Sequence, residues 1–227
     1  MSLLKNKKNF GKRTLCQSLF AGKIIYGDCG DIYGAKVWHS NSKYRRTIWQ
    51  CNNKFKGDKK CTTGHLYEDD IKDSFVTALS TLLSDREELL KDSRIILAEL
   101  DDNTAIDTEC DNLIEEMDML SAHIQKCVAE NAVQAINQDE YINRYNALVE
   151  RHEKAQKRYV TLQKKRDRRL RQADVMGGFL FAITELDTLQ LQFNPTLWHT
   201  TVDHVTVYAN ERLVFHFRNG CEVEVRI

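Results

Sequence analysis

The sequence contains one proline, Pro195, and ten glycines, seven of which lie at or before Gly64. From His65 to Met176, 112 residues pass without either, a stretch that reads as mostly helix. No run approaches 18 consecutive apolar residues, which excludes a membrane span. The N-terminus lacks the apolar segment of a secretory signal. Seven cysteines, an odd number without an export signal, suit a reduced, cytosolic protein better than a disulfide scaffold. Met1-Ser2-Leu3 reads as the start of a piece of something larger. A net charge is missing as well, since 33 Lys and Arg face 33 Asp and Glu. What is present is 227 residues with 42% hydrophobic content, enough for a core in one large domain or two small ones.

The balanced total hides a segregation. Residues 1–65 hold 14 basic and 3 acidic side chains, residues 66–130 hold 5 and 18, and residues 131–175 hold 11 and 6. A head with eleven excess positive charges is a candidate polyanion surface, because each Lys or Arg placed on a phosphate releases a condensed counterion. An ordinary solvated basic face is the plainer reading of the same charge. The organisation that follows is a turn-rich basic head, a long helical middle and a short mixed tail.

Two heptad seams run through the middle. One comprises Ile106, Cys110, Leu113, Met117, Leu120, Ile124 and Cys127; the other comprises Tyr141, Tyr145, Leu148, His152, Ala155, Tyr159 and Leu162. A fold-back near Ala132–Ile136 matches them layer by layer, from Cys127 against Tyr141 to Ile106 against Leu162. Residues 101–130 carry nine acids and one Lys, whereas residues 139–171 carry eleven basic residues and five acids. Opposite flanking charges favour pairing of these two arms with each other. The expected structure is an antiparallel coiled coil, roughly 30 Å long from seven layers at 1.5 Å per residue. His152 and the seam cysteines read as core, because no second ligand sits three or four residues away on the same arm. Val133 and Ile136 fall where the arms separate, so an exposed apolar tip is expected, suited to protein contacts; local packing of the turn is the alternative.

In the head, Gly22–Tyr26 and Arg46–Gln50 read as short strands. Cys29, Cys51 and Cys61 are placed to converge, as three ligands of a tetrahedral zinc. A ribbon knuckle calls for Cys-x-x-Cys, yet the sequence reads Tyr26-Gly27-Asp28-Cys29. Either Cys16, His39 or His65 completes the site, or Tyr26 packs over three free thiols. Between the knuckles, Lys36, Trp38, His39, Lys43, Tyr44, Arg45 and Arg46 interleave basic and aromatic side chains on a hairpin. That composition suits a β-ribbon entering a DNA groove, or else a solvated hairpin. Lys5, Lys7, Lys8, Lys12 and Arg13 read as a basic linker that tracks a phosphate backbone.

Leu19–Gly30, Trp49-Gln50-Cys51 and Cys61-Thr62-Thr63-Gly64-His65 resemble the recombinase zinc β-ribbon domain of large serine recombinases. Tyr141–Leu148, Leu197-Trp198, Val202–Tyr208 and Phe217–Gly220 continue that resemblance in order. It implies an α+β fold: a small β-ribbon and sheet domain with packing helices and a long inserted antiparallel coiled-coil hairpin. Residues 1–18 would be the linker from a recombinase domain, 19–104 the first part of the ribbon domain with a long helix, 105–172 the arm with its tip near 130–138, and 173–227 a return helix and C-terminal strands. The last helix is expected over Phe179–Phe193, stopping at Pro195, with strands around Val202–Tyr208, Leu213–Phe217 and Cys221–Val225 and a turn at Asn219-Gly220.

The resemblance also implies a role without catalytic residues in this chain, since the catalytic and recombinase domains of the family are absent from it. The ribbon would recognise the outer part of a double-stranded attachment-site half-site. The tip would contact other recombinase subunits to control synapsis and direction, with a directionality factor as a further partner, in a prokaryotic cytoplasm or on a phage or other mobile element. A structural coiled-coil interaction module with no nucleic-acid role is the competing reading. Enzymatic motifs such as a P-loop, His-Glu-x-x-His or Gly-x-Ser-x-Gly are missing.

Overall fold

The computed structural model describes residues 18–55, 61, 63–133, 137–209 and 212–227. The fold is α+β, with two small sheets and packing helices. Strands β1 (Ile24–Tyr26), β2 (Tyr33–Trp38), β3 (Arg46–Cys51) and β4 (Leu66–Tyr67) precede helices α1 (Glu68–Leu82), α2 (Arg86–Asp101), α3 (Thr104–Val133) and α4 (Gln138–Thr184). Helix α5 (Pro195–Thr201) and strands β5 (Val202–Tyr208), β6 (Arg212–Phe217) and β7 (Glu222–Arg226) close the chain. It divides into two compact units, Met1–Ser93 with Gly178–Ile227, and Arg94–Gly177. Among the described residues no helix is long and apolar enough to cross a membrane.

In the first unit, β2, β3 and β4 form an antiparallel sheet, and β1, β5, β6 and β7 a mixed one in which β1 runs parallel to β5. Alternation along β6 buries Leu213, Phe215 and Phe217 and leaves Val214 and His216 half-buried, the period-two signature of a one-faced strand. Phe20, Trp49, Phe75, Trp198 and Phe215 are at most 1% exposed and meet edge to face, Phe20 and Trp198 at 4.9 Å and Phe75 and Trp198 at 5.3 Å between ring centres. These contacts fasten the head and tail of the sequence into one core.

The expected helix over Phe179–Phe193 is corrected. Helix α4 runs on to Thr184, and Pro195 starts a helix instead of stopping one. Proline fits a first helical position, where its missing N–H has no partner to lose. The Asn194 side chain accepts from the N–H groups of Thr196 and Leu197 at 2.8 and 3.3 Å, which supplies the N-cap.

In the second unit, all fourteen seam residues are buried or half-buried, while Asp111, Asp118, Glu153 and Lys157 on the outer faces are exposed. Ile106, Cys110 and Leu162 form one cluster with Leu113 and Tyr159 packed on it. Glu130–Arg144 (3.1 Å), Glu116–Arg151 (3.0 Å), Glu109–Arg158 (2.7 Å) and Asp107–Arg166 (2.9 Å) join acidic α3 to basic α4. Numbers fall on one helix as they rise on the other, so the two run antiparallel. Arg169 donates to the Asn103 side chain and to the carbonyls of Glu99 and Asp102, which satisfies the otherwise open end of α2. Val133 is 85% exposed; Ile136 lies outside the described residues.

Candidate metal centre and nucleic-acid face

β1 ends at Tyr26 because the chain turns there. The Tyr26 carbonyl accepts from Gly30 N–H at 2.8 Å, and Tyr26 N–H donates to the Asp31 carbonyl at 2.9 Å. Gly30 takes φ = 69°, which an L side chain rarely adopts. This turn presents Cys29 at the surface. Cys51, the last residue of β3, is 1% exposed, and Cys61 is half-buried ahead of β4. The three Sγ atoms lie within 4.8 Å of one another, with Cys29 and Cys51 at 3.5 Å and no disulfide among them.

Burial pushes the Cys51 thiol up to about 12, and the neighbouring Cys29 and Cys61 thiols add to the rise. A cation held among three thiols would favour their ionised form. Tetrahedral zinc with Zn–S near 2.3 Å spaces its sulfurs about 3.8 Å apart, so the donor set and spacing fit zinc. Bound there, the ion would be held by Cys29, Cys51 and Cys61 and would tie the 27–30 turn, the end of β3 and the segment before β4 together.

Tyr26 is buried and its hydroxyl donates to Asp28 Oδ2 at 2.6 Å. The nearby Tyr33, whose hydroxyl shares a hydrogen bond with Thr63 Oγ1, titrates well above the usual phenol range because it is buried. Of the candidate fourth ligands, neither His39 nor His65 belongs to the thiol group among the described residues. His39 sits exposed in the β2–β3 turn. The His65 ring is taken up by Trp38 at 4.7 Å and Tyr67 at 4.9 Å, and aromatic packing holds it there. Cys16 lies outside the described residues, as do Lys5, Lys7, Lys8, Lys12 and Arg13.

Residues 19–80 match the recombinase zinc beta ribbon domain. No curated protein and no solved structure matches the chain. The matched domain is a recombinase-associated zinc ribbon, not a catalytic serine domain, and it contains all three thiols and the β2–β3 hairpin.

On that hairpin, Lys36, His39, Lys43, Tyr44, Arg45 and Arg46 are exposed, and Trp38 is half-buried. The Arg46 guanidinium lies over two rings, 4.8 Å from the centre of Tyr67 and 5.7 Å from that of Trp38. Lys43 Nζ sits 5.2 Å from the Tyr44 ring centre, and Lys36 Nζ donates to Asn52 Oδ1 at 3.2 Å. Among the described residues none of Lys36, Lys43, Arg45 and Arg46 has a carboxylate within ion-pair distance. Sequence reasoning missed Tyr67 and the role of His65. They join the hairpin only through the β3–β4 pairing, and a two-residue strand leaves almost no periodic signal.

Proposed function

We propose that this chain is the DNA-binding and assembly part of a site-specific serine recombinase. The β2–β3 hairpin contacts the outer part of an attachment-site half-site, and zinc on Cys29, Cys51 and Cys61 stiffens its base. Helices α3 and α4 form an antiparallel coiled-coil arm whose end, marked by Val133, contacts a second recombinase subunit during synapsis. The observation that carries the DNA reading is a set of four hairpin cations, without acidic partners among the described residues, on a recombinase-associated ribbon. Such cations serve phosphates well and acidic neighbours would cancel them. The paired seams and the cross-helix ion pairs support the arm.

Titration with an attachment-site duplex at low and moderate salt tests the reading. Replacing Arg45 and Arg46 with Ala lowers affinity and lowers the salt slope by about one for each phosphate that is no longer neutralised. Val133→Asp leaves half-site binding intact and impairs synapsis by the full recombinase. The exposed Met119, Val128 and Val133 of α3 favour a second reading, a protein-interaction module with no nucleic-acid role. Absence of salt-dependent duplex binding would select it.

A further inference from the structure

Three basic side chains from separate elements meet at the C-terminal end of α5. Lys23, just before β1, donates from Nζ to the Val202 carbonyl, with its ammonium 5.8 Å from the centre of the Trp198 ring. Arg218, just after β6, donates from Nε to the His199 carbonyl at 3.1 Å and from its backbone N–H to the Thr201 carbonyl at 2.8 Å. His199 is exposed in the last turn of α5. These carbonyls aim the cationic heads without neutralising them. Among the described residues neither Lys23 nor Arg218 has a carboxylate within ion-pair distance. Asp203, the acid beside them on β5, is engaged with His204 Nδ1 at 2.9 Å.

The crowding has a measurable sign. Burial, and then the Arg218 charge, pull the Lys23 ammonium down to about 8, with Asp203 opposing. Burial, Lys23 and Arg218 together hold His199 below the usual imidazole range. An anion placed beside Lys23 and His199 would favour their charged forms and offset that lowering.

We propose that Lys23, His199 and Arg218 form a phosphate-binding site that takes a backbone phosphate of duplex DNA, separate from the contacts of the β2–β3 hairpin. The assignment rests on the DNA-binding reading above. Arg218 keeps both terminal amino groups unpaired among the described residues, and Lys23 keeps two N–H donors. A guanidinium fork beside a point charge suits a phosphate. The site offers no amide or carboxylate free to read a base edge, so it would position the duplex without specifying sequence.

The test compares duplex binding by the wild-type chain with Lys23→Gln, Arg218→Gln and the charge-retaining Arg218→Lys over a range of salt. Each Gln variant is expected to bind roughly tenfold more weakly, with a salt slope smaller by about one, whereas Arg218→Lys keeps the wild-type slope. A second measurement needs no variant. Calorimetry at pH 8 in two buffers of different ionisation heat should show the wild-type chain taking up part of a proton on binding, as the phosphate restores the Lys23 ammonium. Undiminished slopes in both Gln variants together with no proton uptake would overturn the site and leave the hairpin reading standing. If the wild-type chain binds no duplex at all, the hairpin reading falls instead. Titration of Lys23 by NMR with and without inorganic phosphate then decides: a raised pKa assigns the site to free phosphate, and an unmoved one removes it.

Discussion

The Sγ atoms of Cys29 and Cys51 lie 3.5 Å apart across the base of the ribbon, where the sequence offers Tyr26 and not a fourth cysteine. One zinc per chain is expected by metal analysis of purified protein, and none in Cys51→Ser. Four-ligand structural zinc sites bind with about 10–16 kcal/mol, so one added thiolate is worth on the order of 3 kcal/mol. Tyr26→Cys is therefore expected to raise zinc affinity about a hundredfold in competition with a chromophoric chelator. An unchanged affinity would show that a protein group already fills the fourth corner, and Cys16→Ser would identify it.

Gly27 follows Tyr26 with the Tyr208 ring pressed against it; a Cβ on Gly27 would come within 2.3 Å of that ring. The Arg212 guanidinium lies 4.1 Å from the centre of the same ring, which limits how far it can yield. Gly27→Ala is expected to cost about 1–3 kcal/mol by overpacking, read by urea denaturation. Adding Tyr208→Ala should return part of that stability.

Leu120 is 2% exposed in the α3 seam, whereas Val133 is 85% exposed on the same helix. Leu120→Ala should destabilise by about 2–4 kcal/mol through reduced burial and a residual cavity. Val133→Asp should stay within about 0.5 kcal/mol of wild type. Thermal melts of the two variants in parallel check the contrast.

Lys23 and Cys51 give opposite pH dependences in metal-free protein. The folded chain holds Lys23 near 8 against 10.5 for the free side chain, so the unfolded chain binds more protons in between and stability rises with pH across that window. Cys51 titrates near 12 against 9.0; the folded chain keeps its proton while the unfolded chain releases it, and that contribution is lost as pH rises from 9 through 12. From pH 8 to 9 the Lys23 gain outweighs the onset of the Cys51 loss, between about 9 and 10.5 the two nearly cancel, and above about 10.5 the Cys51 loss stands alone. Urea denaturation from pH 8 to 9 should show a rise in stability that Lys23→Gln removes, and Cys51→Ser should remove the fall above about pH 10.5.

Much of this was legible in the sequence where the signal is local. The seams were readable because side chains three and four residues apart share a helix face, and the charge contrast between the arms became the ion pairs of Glu109 with Arg158 and Glu116 with Arg151. The convergence of three thiols followed from hairpin geometry. The parallel pairing of Ile24 with Val205 was not legible, since nothing local in either strand names a partner 181 residues away. Pro195 was misread because one residue type serves both to end and to begin helices, and only the Asn194 cap decides between them. The Lys23, His199 and Arg218 cluster was hidden for the same reason as the parallel pair: sequence distance conceals it.

Trp49 and Trp198 are 1% and 0% exposed in the aromatic core, whereas Trp38 is half-buried at the hairpin beside Arg46. The chain thus comes with its own optical reporter. Iodide should quench one indole of three, and a duplex seated on the hairpin should shield that indole and leave the other two silent, so occupancy can be followed by fluorescence without attaching a dye.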